Sequence, residues 1–295
     1  MIKKILLNTL LWMLALVITF LSAAYQRRTG PTYPIEGTVQ IDGSTVEFEL
    51  LRSHGGDGDQ PVEIFAPDTA ISATVVYRRY KTEDAWIRIP MLRRAEKLVS
   101  FLPHQPPAGK LEYHVEIRKG EHVLILPEKE NAVTRFKGDV PGWALAPHVL
   151  FMLLAMLLST RTGLQALRKE TPLLGYVLVT ILFLVIGGFV FGPIVQKFAF
   201  GAYWTGFPFG TDLTDNKTLI ALVAWLIALF LIRRNPRARL WALGAAVVMF
   251  SIFMIPHSMH GSELDYSEMD EEKTEVVQIE IDSAKFKKRT TNSHE

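Results

Sequence analysis

The chain has 295 residues, a formal net charge of +2 and no cysteine. The near-neutral balance gives no footing for nucleic acid, and the missing thiols exclude disulfides, thiolate metal sites, iron–sulfur clusters, covalently attached c-type haem and a cysteine nucleophile. Apolar residues make up 49% of the chain, and they gather into a few long runs.

The first run, Ile5–Ala24, carries no charge and follows Lys3 and Lys4. A secretory signal has the same basic start but an apolar core of only about 7–15 residues, whereas about twenty residues cross the hydrocarbon of a bilayer. Residues 1–25 are therefore expected to form an N-terminal membrane anchor, or a signal sequence cut near Ala23 or Ala24.

Residues 33–140 alternate between apolar and polar positions and lack helical periodicity. Thr38–Ile41 runs into Asp42-Gly43, a two-residue hairpin signal, and Val46–Leu50 resumes the alternation. Ala73–Tyr80, Ala85–Pro90, Lys97–Leu102, Lys110–Arg118 and His122–Leu126 read as further strands. Seven short strands in this length predict an all-β sandwich. The stretch from Val75-Val76-Tyr77-Arg78 through Trp86 and Ile89-Pro90-Met91 to Pro106-Pro107-Ala108-Gly109-Lys110-Leu111-Glu112-Tyr113 resembles bacterial fibronectin-III/Ig-like domains. That resemblance implies a spacer or a partner-binding module and no chemistry.

Residues 143–257 hold four more runs: Trp143–Thr160, Leu173–Val195, Leu219–Ile232 and Leu240–Ile255. Arg161, Arg168 and Lys169 fall between the second and third spans, and Arg233, Arg234, Arg237 and Arg239 between the fourth and fifth. With Lys3 and Lys4 they put the N-terminus and both basic loops in the cytoplasm by the positive-inside bias. The expectation is a five-span helical protein of the bacterial cytoplasmic membrane, with the β-domain and the C-terminal tail, 258–295, outside. The spans carry almost no interior charge, which speaks against a transporter.

On the expected outer face, residues 201–218 read GAYWTGFPFGTDLTDNKT, too long and too aromatic for a plain connector. Thr214 or Asp215 reads as the N-cap of the next helix. His148 and His257, each after a proline, stand at outer ends of the second and fifth spans, with His260 just beyond. Imidazoles from facing helices can ligate a planar metallocycle from both sides.

His148, the loop residues Gly201, Tyr203, Trp204, Gly210 and Asp212, the apolar helix with Trp225, and His257 form an arrangement that resembles the haem-handling proteins of cytochrome c maturation, which carry a tryptophan-rich "WWD" loop between histidine-bearing spans. This chain has one tryptophan in the loop, and Phe207-Pro208-Phe209-Gly210 stands where the central W-x-W-D segment would be. The resemblance implies haem as cofactor, with His148 and His257 as iron ligands, Tyr203 and Trp204 at its rim and Asp212 closing the motif. It implies a subunit that binds or hands over haem in cytochrome assembly or electron transfer, with a cytochrome among its partners. No nucleophile–base pair, phosphate-cradling glycine loop or protease motif is visible in the sequence. The alternative expectation is a non-catalytic scaffold or accessory subunit of a membrane complex, docking protein partners through its sandwich and tail.

Overall fold

The computed structural model describes residues 2–168, 172–256 and 263–270. It contains a sandwich-like β-domain inserted between the first and second of a set of apolar helices. Helix α1 is Ile2–Thr29 and is followed by eleven strands: β1 Ile35–Ile41, β2 Ser44–Leu50, β3 Ser53–Gly55, β4 Gln60–Phe65, β5 Ser72–Arg79, β6 Ile87–Pro90, β7 Leu92–Arg94, β8 Lys97–Leu102, β9 Lys110–Lys119, β10 His122–Leu126 and β11 Ala132–Lys137. One sheet runs β1-β2-β4-β8-β7; the other runs β3-β11-β9-β5-β6, with β10 also on β9. All pairings are antiparallel except β3 on β11.

Strict alternation places the core between the sheets. In β9, Leu111, Tyr113, Val115 and Ile117 point inward against Val46, Leu50, Val62 and Ile64 of the other sheet. The buried Tyr113 hydroxyl donates to Leu51 O at 2.7 Å, which satisfies the one polar atom of that ring. Asp42 and Gly43 both have positive φ, 44° and 75°, the twist that a two-residue hairpin needs.

Eleven strands replace the seven expected. The clearest omission is β4, whose Pro61 reads as a strand breaker. Pro61 pairs with Phe101 of β8, but the β2–β4 ladder covers only Glu63 to Phe65. The missing N–H therefore falls where β4 has one paired neighbour, and the ladder loses nothing.

The remaining helices are α2 Gly142–Ala166, α3 Leu174–Val185, a π-helical turn Ile186–Phe191, α4 Gly192–Phe200, α5 Leu213–Arg234 and α6 Leu240–Met254. The stretch Leu174–Phe200 is continuous, so four helices are long and apolar enough to cross a membrane, while α6 has 15 residues. Their shared core contains Val177, Leu184, Ala221, Trp225, Ala242 and Met249.

Arg161 corrects the expected map. It lies inside α2 and is fully buried, not in a basic connector. Its guanidinium donates to Gln165 Oε1 at 2.8 Å and Asn8 Oδ1 at 2.6 Å. The rings of Trp12 and Tyr176 lie 5.3 and 5.0 Å from it. A guanidinium tolerates such burial when aromatic faces and amide oxygens replace its water. The near-absence of interior charge is likewise corrected, since Asp215 and Lys217 of α5 are also buried.

The sandwich is fastened to the helices at several points. Gly138 N donates to Ala199 O at 3.0 Å, and the Arg135 guanidinium sits 3.8 Å from the Phe200 ring centroid. Burial pulls the Arg135 pKa down, while the Asp212 carboxylate helps to hold its charge. Beyond α6, residues 263–270 lie on the β-domain. Glu263 bridges Lys110 at 2.5 Å and Lys81 at 2.7 Å, and Asp270 meets Arg79 at 2.8 Å. The buried Tyr266 hydroxyl accepts from Lys110 N at 3.0 Å and donates to Lys110 O or Gln105 Oε1, each at 3.1 Å. Val276–Ile281 of the tail alternates apolar and polar residues in the manner of a strand, and it lies outside the described residues.

This docking carries a pH signature. Burial pushes the Glu263 pKa up, but the bonds from Lys110 and Lys81 outweigh it and hold the carboxyl below its usual value. A depressed carboxylate contributes stability above its unfolded pKa and loses it as pH falls through the folded one. Segment 263–270 is therefore expected to stay docked at neutral pH and to be released below about pH 4. A fluorophore at Ser267, followed by anisotropy against pH, checks this; release that begins above pH 6 would contradict it.

Candidate functional site

The loop from Gly201 to Asp212 is organised by a carboxylate that the sequence reading assigned differently. Asp212, not Thr214 or Asp215, is the N-cap of α5, and its side chain accepts from Thr214 N at 2.7 Å. Asp215 is thereby released for another task. Its Oδ2 accepts from Thr205 N at 2.7 Å, Gly206 N at 3.0 Å and Gln196 Nε2 at 3.1 Å. One buried carboxylate thus holds the loop backbone and ties it to α4. Asn216 Oδ1 takes Phe207 N at 2.6 Å. Asp212 N returns to Thr205 O at 3.0 Å and closes the loop.

The glycines serve this closure. Gly201 ends α4 in the left-handed region, φ 84°, as a C-cap. At Gly206 a Cβ would meet the Asp215 side chain, so only glycine lets that carboxylate reach its two N–H donors.

The expected haem-contacting aromatics diverge. Trp204 turns inward, its ring stacked on Phe189 at 5.6 Å and 24°, with Nε1 donating to Phe207 O at 3.1 Å. Tyr203 is 60% exposed, with the Lys197 ammonium 5.5 Å from its ring. Phe207 and Phe209 at the loop tip are 68% and 82% exposed.

His148 approaches the same π-helical turn from α2. Its Nδ1 lies 2.9 Å from Gly187 O. A carbonyl oxygen only accepts, so Nδ1 carries the proton and Nε2 of the neutral ring keeps a lone pair. The π turn is thus contacted by both motif residues: His148 bonds Gly187, and Trp204 stacks on Phe189. Gly187 and Gly188 let α2 and α5 pack closely on this turn, because a Cβ on Gly187 would strike Met152 and one on Gly188 would strike Thr218. His257 and His260 lie outside the described residues, so the paired-imidazole arrangement has one described member. Among the described residues, no group of three or more His, Asp or Glu side chains converges to hold a metal.

A buried cation was also missed. Lys217, only 4% exposed, donates to Ile255 O at 2.9 Å and Pro256 O at 3.4 Å, capping the C-terminus of α6. The sequence signal was the polar Asp-Asn-Lys-Thr stretch leading into an apolar run, which reads equally well as solvated loop.

No protein-family model matches the sequence, and no curated protein matches it. A solved structure described as the Br derivative of BhCBM56 is similar over 35% of this chain and 92% of its own length, at 14% identity and a TM-score of 0.21. A likeness at that score carries nothing further.

Proposed function

We propose that the chain is a multi-pass accessory subunit of a bacterial cytoplasmic membrane assembly, which holds a β-sandwich in fixed register at the outer face for docking protein partners. The observation that carries this is that the sandwich is fastened twice over at one end, where Arg135 of β11 pairs with Lys110 of β9. Residues 138–141 alone join β11 to α2, Gly138 and Arg135 hold the α4 end, and Glu263, Tyr266 and Asp270 return from beyond α6 to the same domain. A spacer needs only a flexible tether, whereas a fixed platform suits a partner that must meet both membrane and sandwich.

The return of the chain also supports five crossings. The β-domain follows α1 and the docked segment follows α6, so α2 to α6 must bring the chain back to one side. At 1.5 Å per residue the 15 residues of α6 extend only about 22 Å, less than the usual hydrocarbon thickness, so its ends lean on polar caps such as Lys217. Lys3, Lys4, Arg233, Arg234, Arg237 and Arg239 then fall on the cytoplasmic side.

The sandwich offers a docking patch. Leu92 and Phe101 are exposed on one face of the β7–β8 pair, joined in register through Val99. The double variant Leu92→Glu/Phe101→Glu is expected to fold normally and to lose the native-gel assembly of the unsubstituted chain in its own membrane. A chain that runs as a bare monomer before substitution would defeat the proposal.

A haem-handling role is the second reading, favoured by the open Nε2 of His148. In that reading His148 and His257 would hold the haem iron, with Tyr203 beside the haem, and the haem would pass to an outer cytochrome. Trp204 and Asp212 support it less, since both already have partners within the protein. The visible spectrum of protein purified from haem-replete cells tests it: a Soret band lost in His148→Ala is expected, and a colourless protein would exclude it.

A further inference from the structure

A cavity of about 150 Å³ lies between α1, α2 and α6. Its lining includes Thr19, Ser22, Gln26, His148, Met152 and Met156. We propose that it binds one soft monovalent metal ion of the Cu(I) class, through His148 Nε2 and the thioether sulfurs of Met152 and Met156. The inference goes beyond the docking role and competes with the haem reading for His148.

The spacing is the first support. His148, Met152 and Met156 follow one another at four-residue intervals, so they share a face of α2 with about 6 Å between successive positions. Met152 Sδ rests against Gly187 and Gly188, and three rotatable bonds let such an unbranched side chain swing its sulfur toward the ion. The second is the imidazole itself. With Nδ1 committed to Gly187 O, its ring is oriented by a backbone carbonyl in the manner of metal-bound histidines, and Nε2 is the free ligand atom.

The third support is the donor set. Two thioethers and one imidazole are soft and borderline donors that favour Cu(I), and among the described residues no carboxylate lines the cavity to attract a hard divalent cation. All three ligands are neutral, and a single positive charge is less costly to desolvate than a double one. The fourth is an orphan. Thr19 is 8% exposed, and its Oγ1 has no hydrogen-bond partner among the described residues. A buried hydroxyl facing a cavity implies an occupant that brings polarity with it. The volume leaves room for an ion with a water molecule beside it, since a water occupies about 30 Å³.

The experiment is an anaerobic titration of the purified full-length protein with Cu(I), in competition with a chromophoric Cu(I) chelator. The chain has no cysteine, so thiol binding adds no background. One ion per chain is expected. The Met152→Leu/Met156→Leu variant should weaken binding at least tenfold while keeping its thermal unfolding, because Leu conserves the volume of Met. His148→Gln retains a donor to Gly187 O and should weaken binding similarly, and Zn(II) should not compete. Uptake of no Cu(I), or uptake equal in the thioether variant, would overturn the proposal. A Soret band abolished by His148→Gln in a protein that takes up no Cu(I) would assign His148 to haem instead.

Discussion

Replacing Asp215 with alanine is expected to cost about 3 kcal/mol of stability and to unfasten the loop between α4 and α5. The carboxylate accepts four hydrogen bonds, from Thr205 N and Oγ1, Gly206 N and Gln196 Nε2, and is 7% exposed. Removing it leaves two backbone donors and a side-chain amide without their acceptor, and orphaned buried donors cost about 1–3 kcal/mol each before relaxation. The loop then opens to water to recover part of this. Trp204 reports the opening, because its ring lies stacked on Phe189. The measurements are thermal unfolding in detergent, and Trp204 emission in a variant lacking other tryptophans. A red shift and a lowered midpoint are expected. An unchanged midpoint with unchanged emission would mean that Asp215 does not hold the loop.

The second large effect belongs to Trp225. It is completely buried in α5, its Nε1 lies 3.2 Å from Met249 Sδ of α6, and it is the largest fully buried side chain among the described residues. In the proposed membrane setting the hydrophobic effect between apolar helices gives little, and close packing carries the association. Trp225→Ala leaves a void that the small residues around it, Ala221, Ala228, Ala242 and Ala245, cannot fill. About 3–5 kcal/mol is expected, with Trp225→Phe losing much less. Denaturant titration in mixed micelles checks this, and a loss below about 1 kcal/mol for the alanine variant would show that α5 and α6 repack freely.

The parts legible in the sequence were those governed by periodicity. The uninterrupted apolar runs marked every long helix, and alternation marked β9 and the hairpin at Asp42-Gly43. The boundaries were less legible for a common reason. Arg161 and Lys217 looked like the ends of helices because charge usually marks water, yet each lies within a helix where π faces or carbonyls take the place of solvent. Strand β4 was hidden by Pro61, whose harmlessness depends on how far the neighbouring ladder extends. Asp212 and Asp215 illustrate the limit at the site. Both are aspartates at the start of one helix and both suit a cap, and only the approach of Gly206, nine residues earlier in the chain, separates their tasks. The unusual length and aromatic content of the loop were visible in advance; the carboxylate that organises it was not.

The contacts that hold α1 have a consequence for synthesis. Asn8 meets Arg161, 153 residues later, and Gln26 meets Ile255, 229 residues later. Helix α1 is therefore made long before the helices it packs against. Until α2 and then α6 have been made, its exposed flank resembles any free apolar segment, open to peptidases and to insertion chaperones alike. The sandwich between them has time to fold as a unit, while Tyr266, whose hydroxyl accepts from Lys110 N, arrives only after α6 has been made. Retention of α1 is thus decided in the interval before its distant partners exist.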